Sequence, residues 1–201
     1  MKLYWAPNTR SQQALWALEE AGCDYECEFV DVMQGHGQHA EYRAINPMGK
    51  VPTLEDAGVT ITESAAIAAY LADRSPDKGL APSTDDPARG RYYRWLFFSP
   101  ACIEPALTQK AADLKVSPGT AGWGSYERVV ETLANELGKD DFLMGKQFTM
   151  ADLLIASGLR FGMFFKMIEP RPVFETYVQR CTGRPAFARA QEINDGKEVA
   201  G

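Results

Sequence analysis

The stretch from Ile45 to Leu71, I-N-P-M-G-K-V-P-T-L-E-D-A-G-V-T-I-T-E-S-A-A-I-A-A-Y-L, limits what this polypeptide can fold into more than any other. Pro52 has no backbone N–H to give to a sheet, so it belongs at the first residue of a strand or in a turn. Thr53-Leu54 then opens a strand. Val51–Pro52 is a candidate cis peptide, because an X–Pro bond loses only about 0.5–1 kcal/mol on going cis. That geometry turns the N–H and C=O of Val51 outward, where an extended, peptide-like guest can pair with them. Asp56-Ala57-Gly58 supplies a tight turn, with Gly58 suited to positive φ, and Val59-Thr60-Ile61-Thr62 alternates apolar and polar residues as a half-buried strand does. Glu63-Ser64 leads into a helical run from Ala65 to Leu71. Ser64 caps this helix or opens it, where free N–H groups and the positive end of the helix dipole bind anions. Glu63 offers its charge to an ammonium group. An anion site beside a cation partner suits the head of an amino acid, and Lys50 is placed to meet a second carboxylate.

The rest of the sequence divides by pattern. Lys2 to Trp5 reads as a strand that enters the turn Ala6-Pro7-Asn8-Thr9. Ala14, Leu15, Leu18 and Ala21 then recur at helical spacing, with Gly22 as the stop. Tyr25 to Val30 reads as strand, giving a right-handed β-α-β unit, and a short helix follows the polar, glycine-punctuated segment Met33 to Gly37. Arg74 to Pro87, with Pro76, Gly79, Pro82 and Pro87, has the composition of a linker. Beyond it helical periodicity dominates: a long helix from about Pro87, interrupted at Pro100 and Pro105; a second from Gly124 to Leu137; and further helices from Phe174 to Arg180 and around Pro185 to Gln191, with a polar tail. Thr149-Met150-Ala151-Asp152 is a capping pattern, with Phe148 and Leu153 as a hydrophobic staple. Thr149 and Asp152 therefore read as structural residues.

Composition narrows the classes. Among 201 residues, 45% are hydrophobic and 24% charged, with a formal net charge of −6, which argues against a nucleic-acid footprint or attraction to anionic membranes. No run is long and apolar enough to span a bilayer. The N-terminus goes straight into a strand pattern without a signal-peptide profile, so a cytoplasmic location is expected. Cys23, Cys27, Cys102 and Cys181 form no C-x-x-C pair, and His36 and His39 do not complete a metal-ligand pattern. No metal is expected.

The linked motifs N-P-M-G-K-V-P-T-L and T-E-S-A-A-I resemble the glutathione-binding core of the cytosolic glutathione transferase superfamily. In that family the valine before the cis-proline pairs with the cysteinyl backbone of glutathione, and the Glu-Ser pair holds its γ-glutamyl group. The resemblance implies those roles for Val51, Glu63 and Ser64, and a glycine-carboxylate contact for Lys50. Gln38-His39 follows glycines as in several members, which implies contact between His39 and the glycyl end. It implies a thioredoxin-like α/β domain over residues 1–73, a linker at 74–86 and an all-helical domain over 87–201 that contributes the electrophile site, assembled as a homodimer. Glutathione would be the co-substrate and a small hydrophobic electrophile its partner. Tyr92, Tyr93, Trp95, Phe97, Phe98, Phe161, Phe164, Phe165 and Met167 are candidates to line an apolar pocket, although aromatics at helical spacing mainly pack as core.

With glutathione along Val51, its sulfur is expected at the turn from Asn8 to Ser11. A free cysteine thiol has a pKa near 8.5, so the site must favour the thiolate, and a donor to the charged sulfur contributes roughly 1.5–3 kcal/mol. Thr9-Arg10 resembles the hydroxyl-before-arginine of serine-type transferases, and Pro7-Asn8 resembles the asparagine used by some bacterial members. Thr9 and Asn8 rank first, Ser11 next and Tyr4 last. Bacterial beta-type enzymes carry a cysteine where this sequence has Arg10, which weakens a disulfide-reductase reading. The alternatives are that reductase and a noncatalytic transferase-like interaction module.

Overall fold

The computed structural model describes residues 1–196. The polypeptide begins β1 (Lys2–Trp5), α1 (Ser11–Ala21), β2 (Glu26–Phe29), then two 3-10 turns at Val32–Gln34 and His36–Gln38. It continues α2 (Ala40–Ile45), β3 (Thr53–Asp56), β4 (Val59–Thr62) and α3 (Ser64–Arg74). The strands form one sheet in the order β2-β1-β3-β4. β1 and β2 are parallel, as a helix crossover requires, while β3 lies antiparallel to both β1 and β4. This is the thioredoxin-like arrangement expected of the first half.

Local chemistry accounts for each boundary. α1 buries Ala14, Leu15, Leu18 and Ala21 at the expected spacing, and Trp16 and Ala17 as well. Gly22 stops the helix with φ 65° and its N–H donating to the Leu18 carbonyl. The β3–β4 hairpin turns on Ala57 and Gly58, both with positive φ (49° and 80°), so that Asp56 pairs with Val59. The ladder of β2 starts at Glu26 rather than at Tyr25.

A second compact unit runs from Gly79 to Arg184. It contains α4 (Ala88–Phe98), α5 (Glu104–Ala111), α6 (Tyr126–Glu136), α7 (Met150–Phe164) and α8 (Pro172–Thr182). The expected interruption at Pro100 is a π-helical turn, Ser99–Ile103, joining α4 to α5. The Ser99 hydroxyl there donates to the Leu154 carbonyl at 3.2 Å. Gly124, expected to open α6, has φ 80° and lies outside the helix; Ser125 caps it by accepting from the Arg128 N–H. α7 opens with the predicted capping box. Asp152, fully buried, accepts from the Thr149 N–H and hydroxyl, the Leu143 N–H and the Tyr177 hydroxyl, each at 2.8 Å. None of the helices formed by the described residues is long and apolar enough to cross a membrane.

The last helix, α9 (Pro185–Asn194), belongs with the first unit, Met1–Lys78, and not with the helical half in which residues 87–201 were expected. The reason lies in α1, which is apolar on more than the side that faces the sheet. Trp16 needs cover there, and the Phe187 ring meets it edge-on at 4.9 Å. Arg189 Nε pairs with Glu19 at 2.6 Å, and Gln12 hydrogen-bonds to Gln191. The polar tail after Gly196 lies outside the described residues.

The capping box yields a graded expectation. Thr149→Ala removes one donor and should cost about 0.5–2 kcal/mol. Asp152→Ala leaves buried donors at Leu143, Thr149 and Tyr177 without an acceptor and should cost about 3 kcal/mol or more. Thermal unfolding of the two variants checks the order, and equal losses would contradict it.

Candidate functional site

The candidate residues issue from one end of the sheet. Tyr4 pairs with Thr53 and Thr53 with Thr62, so the end of β1, the start of β3 and the end of β4 lie side by side, neighbouring strands being about 4.8 Å apart. β2 runs parallel to β1 and ends at the same edge, with Trp5 opposite Phe29. The turn Asn8–Ser11, residues Lys50-Val51, the pair Glu63-Ser64 and the loop bearing His39 therefore leave the sheet together. The 3-10 turn of that loop is pressed against the one before Val51: Gly37 and Gly49 approach so closely, backbone to backbone, that neither has room for a Cβ.

At the centre is the Lys50–Val51 peptide. Its carbonyl accepts from the Tyr42 hydroxyl at 2.6 Å and from Asn46 Nδ2 at 2.8 Å. Asn46 Nδ2 and the Tyr42 hydroxyl each also contact the Thr53 hydroxyl at 3.0 Å, and all three side chains are buried. Burial pushes the Tyr42 phenol up, so it stays protonated as a donor. The cis bond of this segment is Val51–Pro52, as expected, so Lys50–Val51 is trans. In a trans peptide the C=O and N–H point in opposite directions. With the Lys50 carbonyl held inward, the Val51 N–H is turned outward, and neither it nor the Val51 carbonyl has a hydrogen-bond partner among the described residues.

Next to it stands the start of α3. The Ile67 N–H returns to the Glu63 carbonyl at 2.9 Å, whereas the N–H groups of Ser64, Ala65 and Ala66 and the Ser64 hydroxyl have no partner among the described residues. These are the groups that, with the helix dipole, favour an anion. Glu63 is exposed and holds φ 66°, ψ 120°, a conformation that costs a residue with a Cβ about 1–3 kcal/mol. Lys50 and His39 are both exposed, and the His39 ring lies tilted against that of His36 with centroids 4.9 Å apart.

The turn after β1 separates its hydroxyls from its amide. Thr9 Oγ1 donates to the Ala6 carbonyl at 2.7 Å and accepts the Ser11 N–H at 3.1 Å. Ser11, fully buried, lies 3.0 Å from Thr9 Oγ1 and accepts the Ala6 N–H at 3.3 Å. Each hydroxyl carries one proton. The Thr9 proton is therefore used inside the turn, at the Ala6 carbonyl or at Ser11, while Ser11 accepts from the Ala6 N–H and from Thr9 and is closed off by its burial. Asn8 has φ 57°, which asparagine tolerates better than most residues, and its exposed amide makes no hydrogen bond among the described residues. Tyr4 is buried, with its hydroxyl on Glu55 at 3.0 Å.

Tyr42, Asn46 and Thr53 were not among the sequence candidates, and neither was Asn194, whose Oδ1 accepts the Asn8 N–H at 3.1 Å. A buried polar trio between a helix and a proline-led strand leaves no signature in hydropathy. In the helical unit Tyr92 and Trp95 are core, while Tyr93, Phe97, Phe161, Phe164 and Phe165 are exposed. The four cysteines are free thiols, and burial pushes that of Cys27 up to about 11. Among the described residues no group of three or more His, Cys, Asp or Glu residues is arranged to hold a metal ion.

Comparison with known proteins agrees with this geometry. Residues 1–73 match the family description "Glutathione S-transferase, N-terminal domain", and residues 124–185 match "Glutathione S-transferase, C-terminal domain". The protein is 32% identical to glutathione S-transferase 2 of Schizosaccharomyces pombe over 219 aligned positions, covering 90% of each. It is 28% identical to glutathione S-transferase GstA of Escherichia coli O157:H7, covering 100% of the present sequence and 99% of that protein. Among solved structures, a sphingomonad glutathione S-transferase complexed with glutathione superposes with a TM-score of 0.82 at 29% identity, covering 97% of the present sequence and 99% of the other. The strand-end site and these matches over both halves lead to one conclusion: the protein belongs to the glutathione S-transferase family.

Proposed function

We propose that this protein is a glutathione transferase that binds glutathione in extended form across Val51 and the start of α3 and holds its sulfur as a thiolate. The observation that carries the reading is the Lys50–Val51 peptide. Its carbonyl is fixed inward by Tyr42 and Asn46, which leaves the Val51 N–H facing out beside the unpaired N–H groups of α3. In this reading Val51 pairs with the cysteinyl backbone. Ser64 and the first N–H groups of α3 take the γ-glutamyl carboxylate, Glu63 takes the ammonium, and Lys50 with His39 takes the glycyl end.

The thiolate donor in this reading is the carboxamide of Asn8. Thr9 gives its hydroxyl proton to the turn and would have to break that bond to donate outward, and Ser11 is fully buried. A charge-assisted hydrogen bond contributes roughly 1.5–3 kcal/mol, and one pKa unit corresponds to about 1.4 kcal/mol. One donor therefore lowers the thiol pKa by about one to two units, close to neutrality. The thiol proton leaves to solvent. The sulfur then forms a bond to carbon of a soft electrophile, and the displaced group departs with its electron pair or, in an addition, the π electrons move to the activating group. The exposed aromatics of the helical unit support an apolar electrophile. A cytoplasmic location and assembly as a homodimer go with the same reading.

Calorimetric titration with glutathione tests the binding half. Ser64→Ala should weaken affinity by about tenfold or more, and no binding by the parent protein would sink the transferase reading in favour of a noncatalytic interaction module. The ultraviolet absorbance of the bound thiolate, followed against pH, tests the chemical half: Asn8→Ala should raise the thiol pKa by about one unit or more with affinity changed only a few-fold. Glu63→Gly should separate stability from binding. Relief of the positive φ, less the greater backbone entropy of glycine, should raise stability by about 1 kcal/mol, while loss of the carboxylate weakens glutathione binding. A lower melting temperature for this variant would contradict the strain argument.

A further inference from the structure

The turn that carries Asn8 is held by a residue from the far end of the sequence. Asn194, 4% exposed, sits on the last turn of α9, and its Oδ1 accepts the Asn8 N–H at 3.1 Å. Of the two ends of a carboxamide only the oxygen accepts from an N–H, so the orientation of the Asn194 amide is determined by this contact. Three further contacts of α9 fall along the body of α1: Phe187 on Trp16, Arg189 on Glu19 and Gln191 on Gln12. These three dock the helix without touching the Pro7–Asn8 peptide. The Asn194 bond ends on the turn itself, at the peptide that joins Pro7 to Asn8.

We propose that Asn194 is a positioning residue for the thiol site, acting through the backbone of Asn8. The proposal rests on the reading that the Asn8 amide donates to the thiolate. The plane of the Pro7–Asn8 peptide and the φ of 57° at Asn8 together set the direction of its Cα–Cβ bond. No hydrogen bond among the described residues holds the Asn8 amide, so its direction depends on the backbone beneath it. Asn194 removes the freedom of that peptide to rotate. Displacement of a reacting group by about 1 Å can cost about a hundredfold in rate, so a donor on an exposed turn gains from a buried anchor.

The test reads the pKa of glutathione bound to the full-length protein, by thiolate absorbance against pH, together with affinity and melting temperature. Asn194→Leu keeps the volume and removes the acceptor. It should bind glutathione within about threefold of the parent protein and raise the bound thiol pKa by about one unit, equivalent to about tenfold less thiolate below that pKa. If this variant fails to fold, Asn194→Ala is read in its place. Arg189→Gln removes an ion pair of the same helix without touching the turn, and should lower the melting temperature with the thiol pKa unchanged. An unchanged pKa in the Asn194 variant, or an equal rise in Arg189→Gln, would overturn the proposal. Asn8→Ala separates the two readings. If it raises the pKa and the Asn194 variant does not, the anchor alone is wrong; if it leaves the pKa unchanged, the donor reading falls and the anchor with it.

Discussion

The site depends on one backbone carbonyl. A C=O that turns toward a protein interior must find donors there, and that of Lys50 meets the Tyr42 hydroxyl, the Asn46 amide and, at 3.5 Å, the Thr53 hydroxyl. A partly satisfied network of this kind would be a liability in a small domain. Here the hydrogen-bonding capacity of one peptide group decides the direction of the next N–H along the backbone. The apolar residues around it, Tyr4, Val30, Val32, Ile45 and Val51, exclude water from the same pocket. In the proposed reading, core packing and ligand recognition are served by the same peptide plane.

The remaining groups are aligned by the sheet. Mixed pairing brings the ends of β1, β2 and β4 and the start of β3 to a single edge, so residues far apart in sequence meet without any loop having to be long. Several of the unpaired donors at this edge belong to the backbone. The architecture itself is shared with a solved structure that has about three residues in ten in common with this protein.

Much of this was legible in the sequence where the cause is local. Pro52 lacks an N–H, Gly58 accepts positive φ, Val59 to Thr62 alternate, and Thr149 with Asp152 forms a cap within four residues. These are short-range steric or hydrogen-bonding facts, and each element appears in the structure at its expected position, although β4 exposes both Val59 and Thr60 and half-buries Ile61 and Thr62 rather than alternating. The features that could not be read depend on partners distant in sequence. Tyr42 and Asn46 look like ordinary residues of a short polar helix and a turn until Lys50 is folded between them. Thr9, Ser11 and Asn8 carry equivalent donors on paper, and only the internal bonds of the turn and the burial of Ser11 distinguish them. The destination of α9 depended on uncovered apolar surface on α1, which periodicity indicates but does not assign to a partner.

The return of α9 also bears on how the protein is made. The first unit is discontinuous: residues 1–78 leave the ribosome early, but the helix that covers Trp16 is synthesised only after residues 79–184. Throughout translation of the helical half, one face of α1 stays open to solvent and to whatever else is in the cell. The thioredoxin-like module of this protein lacks its cover until α9 has been made, and a gene fusion or truncation cut at residue 78 would carry away the sheet without that helix.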